Sequence, residues 1–102
     1  EIQAKLEEFK HINKTAHKFK SFNTKVLDEY AFRLVDGKIL YSMQELFIAL
    51  NSMSDDTFYF HVSGGKNDFA NWVRDVFFEK ELADKMQSVK TKKDLIELMR
   101  EH

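Results

Sequence analysis

The sequence predicts a mainly α-helical domain of the α+β class, in which one β-hairpin packs on four to five short helices. The 102 residues contain no Pro, no Cys and only three Gly, which disfavours the turn-rich β-sandwiches and barrels. Ser, Asn and Thr residues repeatedly precede apolar runs of helical spacing, a pattern typical of capped helices. One Asp-Gly pair lies between two short apolar runs and indicates the hairpin.

A long amphipathic helix is predicted to precede this domain, over residues 1–25. Ile2, Phe9 and Ala16 recur every seven residues, a spacing that suits a helix packing along another helix. The stretch from Phe9 to Lys25 contains five Lys and no Asp or Glu. We therefore expect a basic helix that serves docking or oligomerisation.

The domain itself, residues 26–102, is predicted to begin with the hairpin, over residues 30–41. Its turn would be Asp36-Gly37, because a two-residue type I′ turn needs positive φ at both positions. In that register Leu34 lies opposite Ile39. The residues that then share one face, and that we expect to pack on the helices, are Phe32, Leu34, Ile39 and Tyr41.

Five helices are predicted after the hairpin, and a capping residue marks the start of four of them. Ser42 and Glu45 have the spacing of a capping box. Residues 57–62 suit either a short helix or a strand, and the helix is favoured because Gly64-Gly65 follows as a stop. The predicted helices span residues 43–53, from Ser54 to about 62, from Asn67 or Asp68 to 78, 79–89, and from Thr91 onward.

One stretch of this domain resembles a known sequence pattern. The run from His61 to Phe77, followed by Leu82-Ala83, is similar to an uncharacterised, largely archaeal family of small prokaryotic domains. The signature is His-Val-x4-Asn-Asp-Phe-Ala-x-Trp-[Ile/Val]-Arg-Asp-Val, and the likeness covers about residues 30–100. The resemblance implies a similar Asp-Gly hairpin but no established activity, substrate or cofactor. The family usually has Gly-Asp after the Trp helix, where this chain has Phe78-Glu79.

A first candidate site surrounds the Gly-Gly loop. His61, Asn67 and Asp68 could form a small-ligand or acid/base pocket, with Asp68 orienting the imidazole. The favoured alternative is structural: Asn67 or Asp68 caps the helix, and His61 forms a hydrogen bond across the loop. The full set of candidate loop-site residues is His61, Asn67, Asp68, Asn71, Arg74 and Asp75.

The three oxygen-bearing residues of this set that share one face of the predicted helix have a second interpretation. Asp68, Asn71 and Asp75 recur at helical spacing, so with His61 they could hold a hard divalent ion. Such a row is more often a solvated helix face, and the sequence carries none of the common metal-binding motifs. We predict no metal and no cofactor.

The basic stretch is a candidate anion contact. Lysine side chains can neutralise phosphates while aromatic rings stack on bases, and the same pattern suits an anionic membrane surface. An ordinary amphipathic helix with its Lys face in water is favoured. The forked guanidinium group of Arg binds phosphate better than Lys does, and this stretch contains no Arg. The candidate anion contacts are Lys10, Lys14, Lys18, Lys20 and Lys25.

The large number of aromatic residues favours a surface that contacts another protein. Ten Phe, three Tyr and one Trp exceed what a small core needs, and an exposed apolar patch usually marks a partner surface. The candidate contact residues are Phe9, Ile12, Phe19, Phe22, Phe58, Tyr59 and Phe78.

From these patterns we predict a non-enzymatic protein-interaction or oligomerisation module, with a protein partner or a second copy as its partner. The alternatives are nucleic-acid binding through the Lys10–Lys25 face, and a small-ligand or metal-dependent enzyme centred on His61, Asp68 and Asp75. No apolar run approaches the roughly 20 residues of a membrane span, so no span is predicted and a cytoplasmic location is expected. The chain starts without Met, as a piece of a longer protein would.

Overall fold

The computed structural model describes residues 20–101, with side chains from residue 22 onward. Most of the predicted N-terminal helix therefore lies outside the described residues. Within them, Lys20–Asn23 form a 3₁₀ turn. The predicted residues that lie outside are Phe9, Ile12, Phe19, Lys10, Lys14 and Lys18.

The described part is mainly helical, and the prediction of several short helices with a small hairpin is confirmed. Two short antiparallel hairpins are present between residues 20 and 101, whereas the sequence predicted one. A second 3₁₀ turn, Asp28–Tyr30, precedes the first hairpin. The elements are β1 Phe32–Arg33, β2 Ile39–Leu40, α1 Met43–Ser52, α2 Asp55–His61, β3 Val62–Ser63, β4 Lys66–Asn67, α3 Asp68–Phe77, α4 Lys80–Gln87 and α5 Lys92–Glu101.

The first hairpin has a register one residue away from the predicted one. Phe32 lies opposite Leu40, and Arg33 lies opposite Ile39. Because successive side chains of a strand point to opposite faces, this shift reverses the exposure of β2. Leu40 is buried, while Ile39 is 37% exposed and does not share the core face with Leu34 as expected.

The reason for the shift is the length of the turn. The Leu34 amide donates to the carbonyl oxygen of Lys38 at 2.8 Å, and the Gly37 amide donates to the carbonyl of Leu34 at 2.9 Å. Asp36 Oδ1 accepts a hydrogen bond from the Lys38 amide at 3.0 Å. Gly37 has a φ of +101°, in the region that favours glycine. The loop thus holds three residues, as in a type I turn followed by a left-handed glycine.

The capping box at α1 is confirmed, with one difference. Ser42 Oγ accepts a hydrogen bond from the Glu45 amide at 3.1 Å. Glu45 Oε1 accepts from the amide of Tyr41 at 2.7 Å, one residue before the position that a standard box would use. The buried face of α1 consists of Met43, Leu46, Ala49 and Leu50.

The second hairpin takes the place of the predicted helix stop. Ser54 Oγ accepts from the Thr57 amide at 3.1 Å and begins α2. The chain then turns at Gly64 (φ +57°) and Gly65 (φ +83°). Consecutive positive φ values are those of a two-residue hairpin turn, so the glycines join β3 to β4.

The third and fourth helices pack against each other. The third and fifth begin at their predicted caps, whereas the fourth begins at Lys80, one residue after its predicted start. Asn67 Oδ1 accepts from the Ala70 amide at 3.0 Å and caps α3. The helix ends at Phe77, and the next residue, Phe78, has a φ of +59° and donates its amide to the Arg74 carbonyl at 3.1 Å. Thr91 Oγ1 accepts from the Asp94 amide at 3.1 Å and caps α5.

Aromatic side chains form the centre of the core. The ring of Phe69 lies 5.0 Å from that of Phe32 and 6.1 Å from that of Phe58, centroid to centroid. Trp72 donates its indole N–H to the carbonyl oxygen of Tyr30 at 2.8 Å and so joins α3 to the start of the first hairpin. The fully buried side chains around this centre include Met43, Leu46, Leu50, Val73, Leu82, Met86, Leu95 and Met99.

No helix within residues 20–101 has the length and apolar character needed to cross a membrane.

Candidate functional site

The candidate site centres on His61, the last residue of α2, which is only 4% exposed. Its Nδ1 lies 3.0 Å from Asp68 Oδ2. Its Nε2 accepts a hydrogen bond from the backbone amide of Val35 at 3.1 Å. A backbone N–H can only donate, so Nε2 carries no proton, and the proton of the neutral ring is on Nδ1, donated to Asp68.

The surroundings of the ring fix it in this orientation. Its centroid lies 5.0 Å from those of Phe32 and Phe60 and 5.3 Å from that of Phe69. With both nitrogens bonded and the ring buried, His61 has no free nitrogen to accept a proton from a substrate. The geometry favours the structural interpretation, in which His61 connects the turn of the first hairpin to α2 and α3.

The carboxylate of Asp68 is the exposed end of this arrangement. Its side chain is 32% exposed, and the Nζ of Lys66 lies 3.5 Å from Oδ2. The same Nζ lies 4.9 Å from the ring centroid of Phe60. One carboxylate thus faces both the imidazole and an ammonium group.

Asn67 has two structural bonds and is 4% exposed. Besides capping α3, its Nδ2 donates to the carbonyl oxygen of Met86 at 2.8 Å. The side chain therefore ties the start of α3 to the last turn of α4. The sequence predicted the cap but not the second bond, because a main-chain acceptor leaves no signal in the sequence.

The remaining polar residues of α3 form a separate group. Asn71 Oδ1 accepts from Arg74 at 2.8 Å and from Gln87 Nε2 at 3.1 Å. Arg74 Nε lies 3.4 Å from Asp75 Oδ1. The bond from Gln87 joins α3 to α4, whereas Asp68 contacts His61 on α2. The predicted row is therefore divided, and no group of three or more His, Asp or Glu among residues 20–101 is arranged to hold a metal ion.

A cavity of about 230 Å³ opens beside the Gly-Gly turn. It is bounded by α2, by the second hairpin and by the segment that follows α4. The sequence pointed to this loop, and of the three residues expected to form the pocket, Asn67 is in the wall whereas His61 and Asp68 are not. The lining residues are Tyr59, Val62, Ser63, Gly64, Gly65, Lys66, Asn67, Gln87, Val89 and Lys90.

The candidate contact residues separate by exposure. Phe22 and Phe58 are core residues, at 3% and 0% exposed, whereas Tyr59 is 44% and Phe78 is 84% exposed. Phe22 packs against Phe47 of α1, with ring centroids 6.4 Å apart. Further exposed apolar residues, outside the predicted set of contact residues, are Leu27, Tyr30, Val35, Ile39, Ile48 and Phe60.

Of the candidate anion contacts, only Lys25 has a described side chain. It is 73% exposed, and its Nζ lies 3.3 Å from Glu45 Oε2. An exposed pair of this kind contributes little to stability. Lys25 therefore stands at the surface beside a carboxylate of α1.

A small polar cluster beside the first hairpin was not predicted. The hydroxyl of Tyr41 donates to Asp28 Oδ1 at 3.0 Å, and Arg33 donates to Asp28 Oδ2 at 3.0 Å. The hydrogen bond to the Asp28 carboxylate, more than any other contact, raises the pKa of Tyr41 above its ordinary value of 10.0. A carboxylate that accepts the phenolic proton stabilises the neutral phenol.

Comparison with known proteins gives no match: no family model, no curated protein and no solved structure is significantly similar to this chain.

Proposed function

We propose that this domain is a non-enzymatic protein-interaction module, and that Phe78 anchors the contact. The single observation that carries the proposal is the conformation of Phe78. Its side chain is 84% exposed, the largest exposure among the large apolar residues described, and its φ is +59°. The residue thus combines an unfavourable backbone conformation with an unburied ring.

Both properties are unfavourable in the isolated domain. A left-handed backbone conformation costs a residue with a Cβ about 1 kcal/mol, which is why glycine usually ends helices in this way. An exposed phenyl ring recovers none of that cost by burial. Burial of the same ring against a partner would contribute about 2 kcal/mol, and strained residues that the fold retains often mark functional positions.

The bonding of His61 also supports a non-enzymatic role. The imidazole at the predicted acid/base site is buried, and both of its nitrogens are occupied. Nucleic-acid binding stays a prediction, as does an enzyme centred on His61, Asp68 and Asp75. Among the residues described, the contacts favour neither over the interaction module.

The proposal is tested by self-association, because a second copy is the simplest protein partner. Sedimentation equilibrium of the full chain from about 10 μM to about 1 mM would cover weak dimers. We expect the mean mass of the wild type to rise with concentration. The Phe78→Gly variant should weaken association at least about tenfold, which corresponds to roughly 1.4 kcal/mol.

The matched control is Ile48→Ala, which removes an exposed apolar side chain from α1. We expect this variant to associate like the wild type. A wild-type chain that remains monomeric throughout the range would exclude self-association. Equal weakening by both substitutions would show that general surface apolarity, and not Phe78, drives association.

A further inference from the structure

The cavity beside the Gly-Gly turn lies where three parts of the chain meet. Tyr59 lies on α2, Gly64 and Gly65 form the turn between β3 and β4, and Gln87 ends α4. At about 230 Å³ the cavity is below the roughly 300 Å³ at which pockets for drug-sized ligands begin. Its size suits a ligand built on a single ring.

One part of the wall is apolar. Tyr59 is 44% exposed, so its ring is available to a ligand, and Val62 and Val89 line the cavity beside it. A planar apolar group fits such a surface, since aromatic rings pack face to edge or offset against one another. These apolar residues alone would not distinguish a charged ligand from a neutral one.

The charged groups of the wall are all positive. Lys66 and Lys90 line the cavity, and none of its lining residues is Asp or Glu. Lys66 already faces a carboxylate, because its Nζ lies 3.5 Å from Asp68 Oδ2. Lys90 forms no ion pair with any described residue. It is therefore the cation of this wall whose charge is available to a ligand.

The wall also contains uncharged polar groups. Ser63 and the main chain of Gly64-Gly65 line the same cavity as Lys90. An anionic group in the cavity could accept hydrogen bonds from these groups.

We propose that this cavity binds a small aromatic carboxylate, with the ring on Tyr59 and Val89 and the carboxylate beside Lys90. The site is separate from the protein contact proposed at Phe78 and does not depend on it. Its selectivity for an anion comes from Lys90, whereas its preference for a ring comes from the apolar wall. Binding is expected to be weak, in the millimolar range, because the cavity is small and partly open.

The experiment is a titration of the ¹⁵N-labelled full chain with benzoate, followed by amide chemical shifts. Benzamide is the matched neutral probe, since it has the same ring and nearly the same shape. We expect saturable benzoate shifts confined to the turn and to residues 87–90. Benzamide should bind about two- to fivefold more weakly, the effect expected from loss of one ionic contact at a surface.

The protein variants are Lys90→Met, which removes the charge and keeps the stem, and the control Lys93→Met on α5. Lys93 does not line the cavity. We expect the benzoate affinity to fall about two- to fivefold in the first variant and to stay unchanged in the second. The proposal is overturned by any of three results: no saturable shift, equal binding of benzamide, or equal affinity in Lys90→Met and the wild type. The comparison of benzoate with benzamide on the wild type tests the proposal even if a variant misfolds.

Discussion

The backbone amide of Val35 donates to the Nε2 atom of His61 across 26 residues of sequence, at 3.1 Å. This one bond holds the turn of the first hairpin to the end of α2. It also selects the tautomer of the ring, because the acceptor nitrogen must be unprotonated. The proton on Nδ1 then completes a bond to Asp68 at 3.0 Å.

The tautomer is the first prediction. In long-range ¹H–¹⁵N spectra of the native protein, we expect His61 to be the Nδ1–H form, with Nε2 resonating as an unprotonated acceptor. In Asp68→Asn this preference should weaken, because the carboxylate that accepts the proton is gone. A native ring protonated on Nε2 would be incompatible with the bond from Val35.

Removal of the imidazole should be strongly destabilising. We expect His61→Ala to lower the free energy of unfolding by about 3 kcal/mol, since it opens a cavity among three Phe rings and leaves the Val35 amide unpaired. The control Phe60→Ala, on a side chain that is 53% exposed, should cost less than about half of that. Urea denaturation of both variants makes the comparison. Equal losses in the free energy of unfolding would show that the buried, hydrogen-bonded imidazole stabilises the fold no more than the exposed ring of Phe60.

The register of the first hairpin can be tested by two neighbouring substitutions. Leu40→Ala should cost about 3 kcal/mol because Leu40 is buried, whereas Ile39→Ala should cost less than about 1 kcal/mol. The two-residue turn predicted from the sequence would reverse this order, since it places Ile39 on the core face. The order of the two urea midpoints therefore distinguishes the registers.

The double bonding of Asn67 predicts a larger loss than a simple cap. Asn67→Ala removes both the cap of α3 and the bond to the Met86 carbonyl, so we expect a loss of about 2–3 kcal/mol. Thr91→Ala serves as the control. It removes the cap of α5, at 3.1 Å, and should cost about 1 kcal/mol. Thermal unfolding should rank the two variants in this order, and equal losses would mean that the bond to α4 contributes nothing.

Substitution at Phe78 should stabilise the isolated domain. Phe78→Gly relieves the positive φ, and we expect the free energy of unfolding to rise by about 1 kcal/mol. Phe78→Ala keeps a Cβ in the same conformation and should bring no such gain. Measurements at a concentration too low for self-association separate this effect from binding. A loss of stability in Phe78→Gly would show that the ring has a structural role in the monomer.

The alkaline pH dependence of the protein should report on Tyr41. Its raised pKa means that its stabilising contribution is fully present below pH 10.0, the ordinary value, and is lost as the pH rises through the raised value. Asp28→Asn should bring the pKa back toward 10.0, because the carboxylate that holds the phenolic proton is removed. Ultraviolet titration of tyrosinate, with Tyr41→Phe as the reference, measures the change. If the tyrosinate titration is the same in Asp28→Asn as in the wild type, the Asp28 carboxylate is not what raises the pKa of Tyr41.

The helix starts were predictable because a cap is a local feature. Ser42, Ser54, Asn67 and Thr91 each accept a hydrogen bond from an amide three residues later. The side chain and its partner lie within one turn of the sequence, so residue type and spacing are enough to indicate them.

The hairpins were less predictable because glycine permits several turns. Asp36-Gly37 suits a two-residue turn or the last two positions of a three-residue loop, and only the packing of Leu40 decides between them. Gly64-Gly65 was interpreted as a helix stop, but two consecutive left-handed residues also reverse a strand. Local sequence does not distinguish these outcomes.

For the candidate site, the sequence indicated which side chains take part but not which main-chain groups they bind. One of the two interpretations of the sequence had Asp68 orienting the His61 imidazole, and His61 Nδ1 lies 3.0 Å from Asp68 Oδ2. The amide of Val35 and the carbonyl of Met86 decide how His61 and Asn67 are used. Every residue except Pro carries both groups, so neither could be identified from residue type.

The bond from Trp72 to the carbonyl of Tyr30 spans 42 residues, and Trp72 is the one tryptophan of the chain. Its fluorescence therefore reports when the segment before the first hairpin leaves α3. Far-ultraviolet circular dichroism reports the helices separately. If the emission changes before the helical signal during unfolding, the hairpin opens first as a local unit while the helices persist. The protein thus carries an intrinsic spectroscopic probe at the junction between its hairpin and its helical core.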